Sequence, residues 1–169
     1  MDPLTLLISQ MNFPALTPVA SLLDNEPVMI VITFILVLAS ERRKEKLAKI
    51  VLAVVLAVLL SMAVKNVVKM DRPCLLAPAK IACPTDYSFP SGHTIVAFTV
   101  MLAFLNKPRF PFYMAFAVFV AFTRLYLGVH SFEDVAGSIA FAPFAYYVAD
   151  AAWRQMEARR YAFRSEPGH

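Results

Sequence analysis

Apolar residues gather into five runs, at 28–40, 50–64, 94–105, 110–123 and 135–149, with charge and most of the prolines held between them. No run reaches the 18 or so residues of an isolated spanning helix. Together they leave too little polar sequence to coat a soluble shell. The pattern predicts helices that lengthen into their flanks, where Lys and Arg stems reach for the interface. Pro143 falls inside the last run and is expected to kink it. Residues 1–26, broken by Pro3, Pro14 and Pro18, read as one or two short helices in the membrane interface, with a sixth partial membrane segment as the alternative. The fold class is therefore all-α: an integral membrane bundle of five to six helices preceded by short interfacial helices.

Composition agrees with a lipid solvent. Of 169 residues 59% are hydrophobic and only 17% charged, against about 25% charged in soluble domains. The length predicts a single domain, 1–169, divided into an outer interfacial segment (1–26), a transmembrane bundle (27–153) and a cytoplasmic tail (154–169). The start carries Asp2 and Pro3, no basic residue and no small-residue cleavage site, so the first span is expected to serve as an uncleaved targeting signal.

Charge orients the path. The connections at 41–49 and 106–109 and the tail at 154–164 hold eleven of the sixteen basic residues and fall on one side of a five-span path. The bias marks that side as cytoplasmic. The net charge of +4 then belongs to the inner interface, and no nucleic-acid partner is expected. A transporter would place polar groups at mid-membrane. The run interiors offer little beyond Ser61, Thr99 and Ser138.

The remaining basic residues, Lys65, Lys69, Arg72, Lys80 and Arg124, fall on the opposite side, and three of them lie in patterned stretches. Lys65 to Pro73 reads KNVVKMDRP. Phe89-Pro90-Ser91-Gly92-His93 opens the third run. Thr123 to Asp134 reads TRLYLGVHSFED and bridges the fourth and fifth. On the five-span path all three reach the same face, so their side chains can converge. Lys65, Arg72 and Arg124 supply fixed cations for the charge on a phosphoryl group in flight. Ser91-Gly92-His93 starts a helix whose free N–H groups favour an anion. Gly92 lets backbone come close, and the Ser91 hydroxyl can cap the helix or donate to phosphate. His130 and Asp134, four apart, share a helix face. A carboxylate on one ring nitrogen fixes the tautomer and frees the other to attack. His93 is the candidate general acid.

Each feature alone has a plainer meaning. Lys65 reads as a snorkelling end residue, Ser91-Gly92 as a cap, and His130–Asp134 as a surface pair. Asp71 and Asp86 read as loop caps or ion-pair partners. The plain meanings fail jointly, because two of the three histidines and three of the five cations on this side fall in the same three stretches. Cys74 and Cys83 share one loop. They are too few for a structural zinc, and a disulfide and two free thiols both remain open.

The three stretches resemble the type 2 phosphatidic acid phosphatase superfamily, whose pattern is KxxxxxxRP, PSGH and SRxxxxxHxxxD. The spacing fits throughout, with Thr123 standing where the family has Ser. The resemblance implies phosphate binding by Lys65, Arg72, Ser91, Gly92 and Arg124. It also implies leaving-group protonation by His93 and a phosphohistidine at His130 oriented by Asp134, with no metal or other cofactor. The compact length and the stretch DYSFPSGH (86–93) resemble the polyprenyl diphosphate phosphatases. The expected function is therefore phosphate release from an undecaprenyl-type diphosphate at the extracytoplasmic face. A phosphatidylglycerophosphate or phosphatidate phosphatase, or a lipid phosphotransferase with the same site, is the alternative.

Overall fold

In a computed structural model the backbone is described for residues 2–165, and side chains for the same residues except 161 and 163–165. Arg164 of the basic tail and the terminal His169 fall outside the described side chains. Seven α-helices follow in order: α1 (Pro3–Gln10), α2 (Leu16–Asp24), α3 (Glu26–Ser40), α4 (Lys44–Val68), α5 (Gly92–Ala103), α6 (Phe110–Tyr126) and α7 (Phe132–Ser165), with a 3-10 turn at Pro73–Leu75. No strand occurs among the described residues, so the expected all-α class is observed.

Local chemistry explains the boundaries. Asp2 caps α1, its Oδ1 accepting from Thr5 N at 2.8 Å, and Pro3 fits the first turn, where no N–H is needed. Asn25 caps α3 through Val28 N at 3.2 Å. The chain turns by 93° between α2 and α3 at this residue. Lys69 closes α4 in the left-handed conformation, φ 51°. Helix α7 runs unbroken past Pro143.

Helices α4 and α7 are each long and apolar enough to cross a membrane, and the bent pair α2–α3 forms a third crossing if counted as one. Helices α5 and α6 are shorter, at 12 and 17 residues. Twelve residues rise only about 18 Å, less than the roughly 30 Å hydrocarbon core. The difference is made up by irregular backbone that the protein itself covers. Leu127, Val129 and Ser88 are buried, and Lys80 N donates to Leu127 O at 3.0 Å. Non-helical backbone is tolerated at membrane depth under such cover.

The core forms around α5, which packs on α4, α6 and α7. Small residues line these contacts, Ala53 and Ala57 from α4, Ala97 from α5, Ala117 from α6 and Ala142 from α7, all buried. They let helix backbones approach where lipid offers no hydrophobic drive. The outward faces stay apolar, with Ile30, Phe144 and Tyr147 exposed. Helices α1 and α2 lie against α6, held by the Tyr126 hydroxyl, which accepts from Phe13 N at 3.0 Å. The loop after α4 is closed by a Cys74–Cys83 disulfide, which settles the alternative left open by the sequence.

Candidate active site

Every sequence-selected residue sits at a helix end, and all these ends lie at one end of the bundle. Lys65 is in the last turn of α4, Ser91 is the N-cap of α5, and Arg124 is in the last turn of α6. His130 precedes α7, and Asp134 lies in its first turn. Lys65, Arg72, Gly92, His93 and His130 line a cavity of about 610 Å³. Its wall away from these residues is apolar, built from Met29, Ile30, Val58, Met62 and Val96.

His130 is almost wholly buried. Its Nδ1 lies 3.2 Å from Asp134 Oδ2 and its Nε2 lies 3.2 Å from an Arg72 terminal nitrogen. A carboxylate only accepts and a guanidinium only donates. The proton is thereby assigned to Nδ1, and the Nε2 lone pair accepts from Arg72 at the cavity. Burial lowers the His130 pKa, the Asp134 hydrogen bond opposes this, and the Arg72 charge lowers it further; the result is about 4. The imidazole is neutral at pH 7.

Asp134 is held by a reciprocal cap. Its N–H donates to Ser131 Oγ at 3.2 Å, and its Oδ2 accepts from Ser131 N at 2.7 Å. Ser-x-x-Asp is a capping box, so the sequence that starts α7 also aims the carboxylate at His130. The pair does not share a helix face as the spacing predicted, because His130 sits just before the helix. Ser88 Oγ donates to the same Oδ2. Asp134 Oδ1 is buried without a partner among the described residues.

The cations differ from one another. Lys65 Nζ bonds Asp86 Oδ2 at 2.6 Å and also the Tyr87 carbonyl. Arg72 donates from Nε to the Asp86 carbonyl at 2.9 Å and from a terminal nitrogen to Asp86 Oδ1 at 2.6 Å. The Asp86 carboxylate thus bridges both cations at the cavity mouth. Burial raises its pKa, but the bonds and charges of Lys65 and Arg72 prevail and hold it at about 2.

Arg124 departs from the expectation that it faces the phosphate. Its guanidinium has no exposed surface and pairs with Asp24 Oδ1 at 2.5 Å. A buried guanidinium needs a counter-charge, and the end of α2 supplies one. Asp24, not Arg124, reaches the cavity wall. Thr123 turns its hydroxyl to Val120 O at 2.7 Å, away from the cavity.

Ser91 does not cap α5 with its side chain. It is fully buried, and its Oγ accepts from Thr94 Oγ1 at 3.0 Å. At Gly92 a Cβ would meet only Ser61 Oγ, at 3.7 Å, so neighbouring atoms do not demand glycine; its bare backbone faces the cavity instead. His93 lines the cavity, while its Nε2 is shielded and unpartnered among the described residues. Asp86 takes the ion-pair role that was one of its two sequence readings, with Lys65 and Arg72 as its partners. Two other polar residues at the site escaped the sequence analysis, Asp24 and Ser88; the only signal was the place of Ser88 directly before Phe89-Pro90-Ser91-Gly92-His93. Among the described residues no three His, Cys, Asp or Glu side chains gather as a metal site requires.

These features define the class: a helical membrane protein with a basic, histidine-bearing cavity at one end. Residues 46–161 match the PAP2 superfamily, and the chain belongs to that family. It is similar to the undecaprenyl-diphosphatase of Sulfolobus acidocaldarius, with 33% identity over 121 residues. That match covers 66% of this chain and 56% of the relative, so the chain spans little more than half of that protein's length. The fold is similar to that of Aquifex aeolicus LpxE, with TM-score 0.71 and 24% identity, covering 86% of this chain and 92% of that one. It is also similar to the first transmembrane PAP2 type phosphatidylglycerolphosphate phosphatase from Bacillus subtilis, with TM-score 0.69 and 18% identity, covering 89% and 83%. At these identities the two structures speak to fold alone.

Proposed function

We propose that the protein is an integral membrane lipid phosphatase, one domain over 1–169, that releases phosphate from a polyprenyl diphosphate through a phosphohistidine. The observation that carries this reading is the environment of His130. Its Nδ1 is tied to a carboxylate, its Nε2 is left with a lone pair, and a guanidinium lies 3.2 Å away.

In the proposed sequence the terminal phosphate takes the place now held by the Asp86 carboxylate, between Lys65 and Arg72. The Gly92 amide at the start of α5 assists, while Arg124 stays paired with Asp24 behind the wall. The Nε2 lone pair attacks phosphorus. The bond to the bridging oxygen breaks, its electron pair stays on that oxygen, and His93, protonated at the start of the cycle, delivers a proton there. Water then attacks the phosphohistidine and passes a proton to His93. The P–N bond breaks, the lone pair returns to Nε2, and inorganic phosphate departs. Every proton and electron pair is accounted for without a metal.

The apolar wall beyond the cations favours a lipid tail. The Lys/Arg bias supports a site on the extracytoplasmic face and a cytoplasmic tail. For the test, purified protein in detergent is given a polyprenyl diphosphate, phosphatidylglycerophosphate and phosphatidate, with and without chelator. We expect phosphate release that chelator leaves unchanged and that His130→Ala abolishes. His93→Ala should spare the diphosphate more than the monoesters, since a phosphate leaving group needs less protonation than an alkoxide. Release that survives His130→Ala, or is lost to chelator, overturns the reading.

A further inference from the structure

A second cavity, of about 500 Å³, lies at the opposite end of the bundle from His130, and the proposed reaction makes no use of it. It is enclosed by the end of α3, the first turns of α4, the α5–α6 connection and Tyr146 of α7. Five cations line it: Arg43, Lys46, Lys49, Lys107 and Arg109.

Their counter-charges are too few. Lys49 pairs with Asp150, which it shares with Arg154. Glu41 serves both Arg43, at 3.2 Å, and Lys46, at 3.8 Å. Lys107 has no ion pair among the described residues, and it lines the cavity together with the neighbouring Lys46. Arg109 donates to the Ala39 carbonyl at 2.6 Å. That bond holds its place without cancelling its charge. Five positive groups thus meet two carboxylates.

Basic residues at one end of a membrane bundle are ordinary. Here, however, cations from separate elements converge on one cavity. Like charges so placed repel unless an anion lies between them. Ile50, Ala103, Phe104 and Leu105 add an apolar floor beside Ser40, Glu41 and Tyr146. A small inorganic anion would satisfy the charges and leave this surface bare. A lipid headgroup satisfies both, with its phosphate among the cations and its glycerol and upper chains against the apolar floor.

We propose that this cavity is a binding site for the phosphate headgroup of an anionic membrane phospholipid, which bridges α3, α4 and the α5–α6 connection. The site is separate from the catalytic cavity and does not depend on the proposed reaction. The bridge has structural consequences, because α3 has few other contacts with the α4–α7 bundle. A ligand that binds only the folded state raises its stability with concentration.

The test uses the full chain in a neutral detergent. Thermal unfolding is followed with added phosphatidylglycerol, with phosphatidylcholine and with inorganic phosphate, and native mass spectrometry counts retained lipid. We expect phosphatidylglycerol to raise the unfolding midpoint by about 5 °C with one lipid retained, and the other two additives to have little effect. The double variant Lys46→Gln/Lys107→Gln should fold, since it relieves a repulsion, and should lose the shift and the retained lipid. An equal response to phosphatidylcholine, a shift reproduced by inorganic phosphate, or a full shift in the double variant overturns the proposal. The last outcome would place the lipid in the catalytic cavity, which the variant leaves intact.

Discussion

Gly137→Ala offers the sharpest test of how the site is held. Gly137 lies on α7, beneath the ring of Phe89, and a Cβ built there would stand 2.3 and 2.6 Å from two ring carbons. Ordinary contact begins at 3.4 Å, so the ring must retreat by roughly 1 Å. Phe89 is a stiff aromatic already set edge-on against Phe141, with centroids 6.1 Å apart. Overpacking of this kind costs about 1–3 kcal/mol, which is a midpoint lower by about 3–10 °C for a chain of this size. Activity should suffer more than stability. Phe89 leads directly into Pro90, Ser91, Gly92 and His93, and a displacement near 1 Å in such groups can cost on the order of 100-fold in rate. Thermal unfolding and initial rates in detergent measure both effects. Phe89→Leu in the same background removes the obstructing ring edge and should restore most of the midpoint. A Gly137→Ala protein that unfolds at the wild-type temperature and turns over at the wild-type rate refutes the packing argument.

Two further outcomes follow from the site. Asp86→Asn should lower KM about threefold to tenfold, because a half-exposed charge-assisted contact no longer competes for the phosphate position. Its kcat should hold, since the Asp86 and Tyr87 carbonyls still receive Arg72 and Lys65; a collapse of kcat with KM unchanged would make Asp86 a positioning residue instead. The second outcome concerns acid. His130 is held near 4 against its ordinary 6.5, so the folded state prefers the neutral ring. That preference is fully satisfied above pH 6.5 and is lost as pH falls through 4, a difference of roughly 3 kcal/mol. Unfolding midpoints measured from pH 7 to 4 should fall, and His130→Gln should flatten the fall.

The helical frame was legible because five apolar runs in a short chain have only one solvent available to them. The convergence of Lys65, Arg72, His93, His130 and Asp134 at one end was also legible, since each lies beside a run boundary and the path alternates sides. The pairings were not. Asp24 meets Arg124 from 100 positions away, and Asp86, offered by the sequence as an ion-pair partner, meets Lys65 from 21. No periodicity links such pairs; only tertiary packing does. Arg124 consequently looked like a residue free to touch phosphate. Gly137 gave no local signal either, because its reason is a ring from another element. The lengths of α5 and α6 were hidden for a related cause: buried loops replace helix at their ends, and a loop's burial is not written in its own composition.

The part of the chain that matches the family begins at residue 46, yet the carboxylate that neutralises Arg124 lies at residue 24, before the 93° turn into α3. A fragment trimmed to the matched region would strip from Arg124 both its opposite charge and the helices packed over α6, which include its Ala20 carbonyl contact. The first two helices therefore belong to the electrostatics of the His130 end of the bundle, and swapping this domain between relatives requires carrying Asp24 with it.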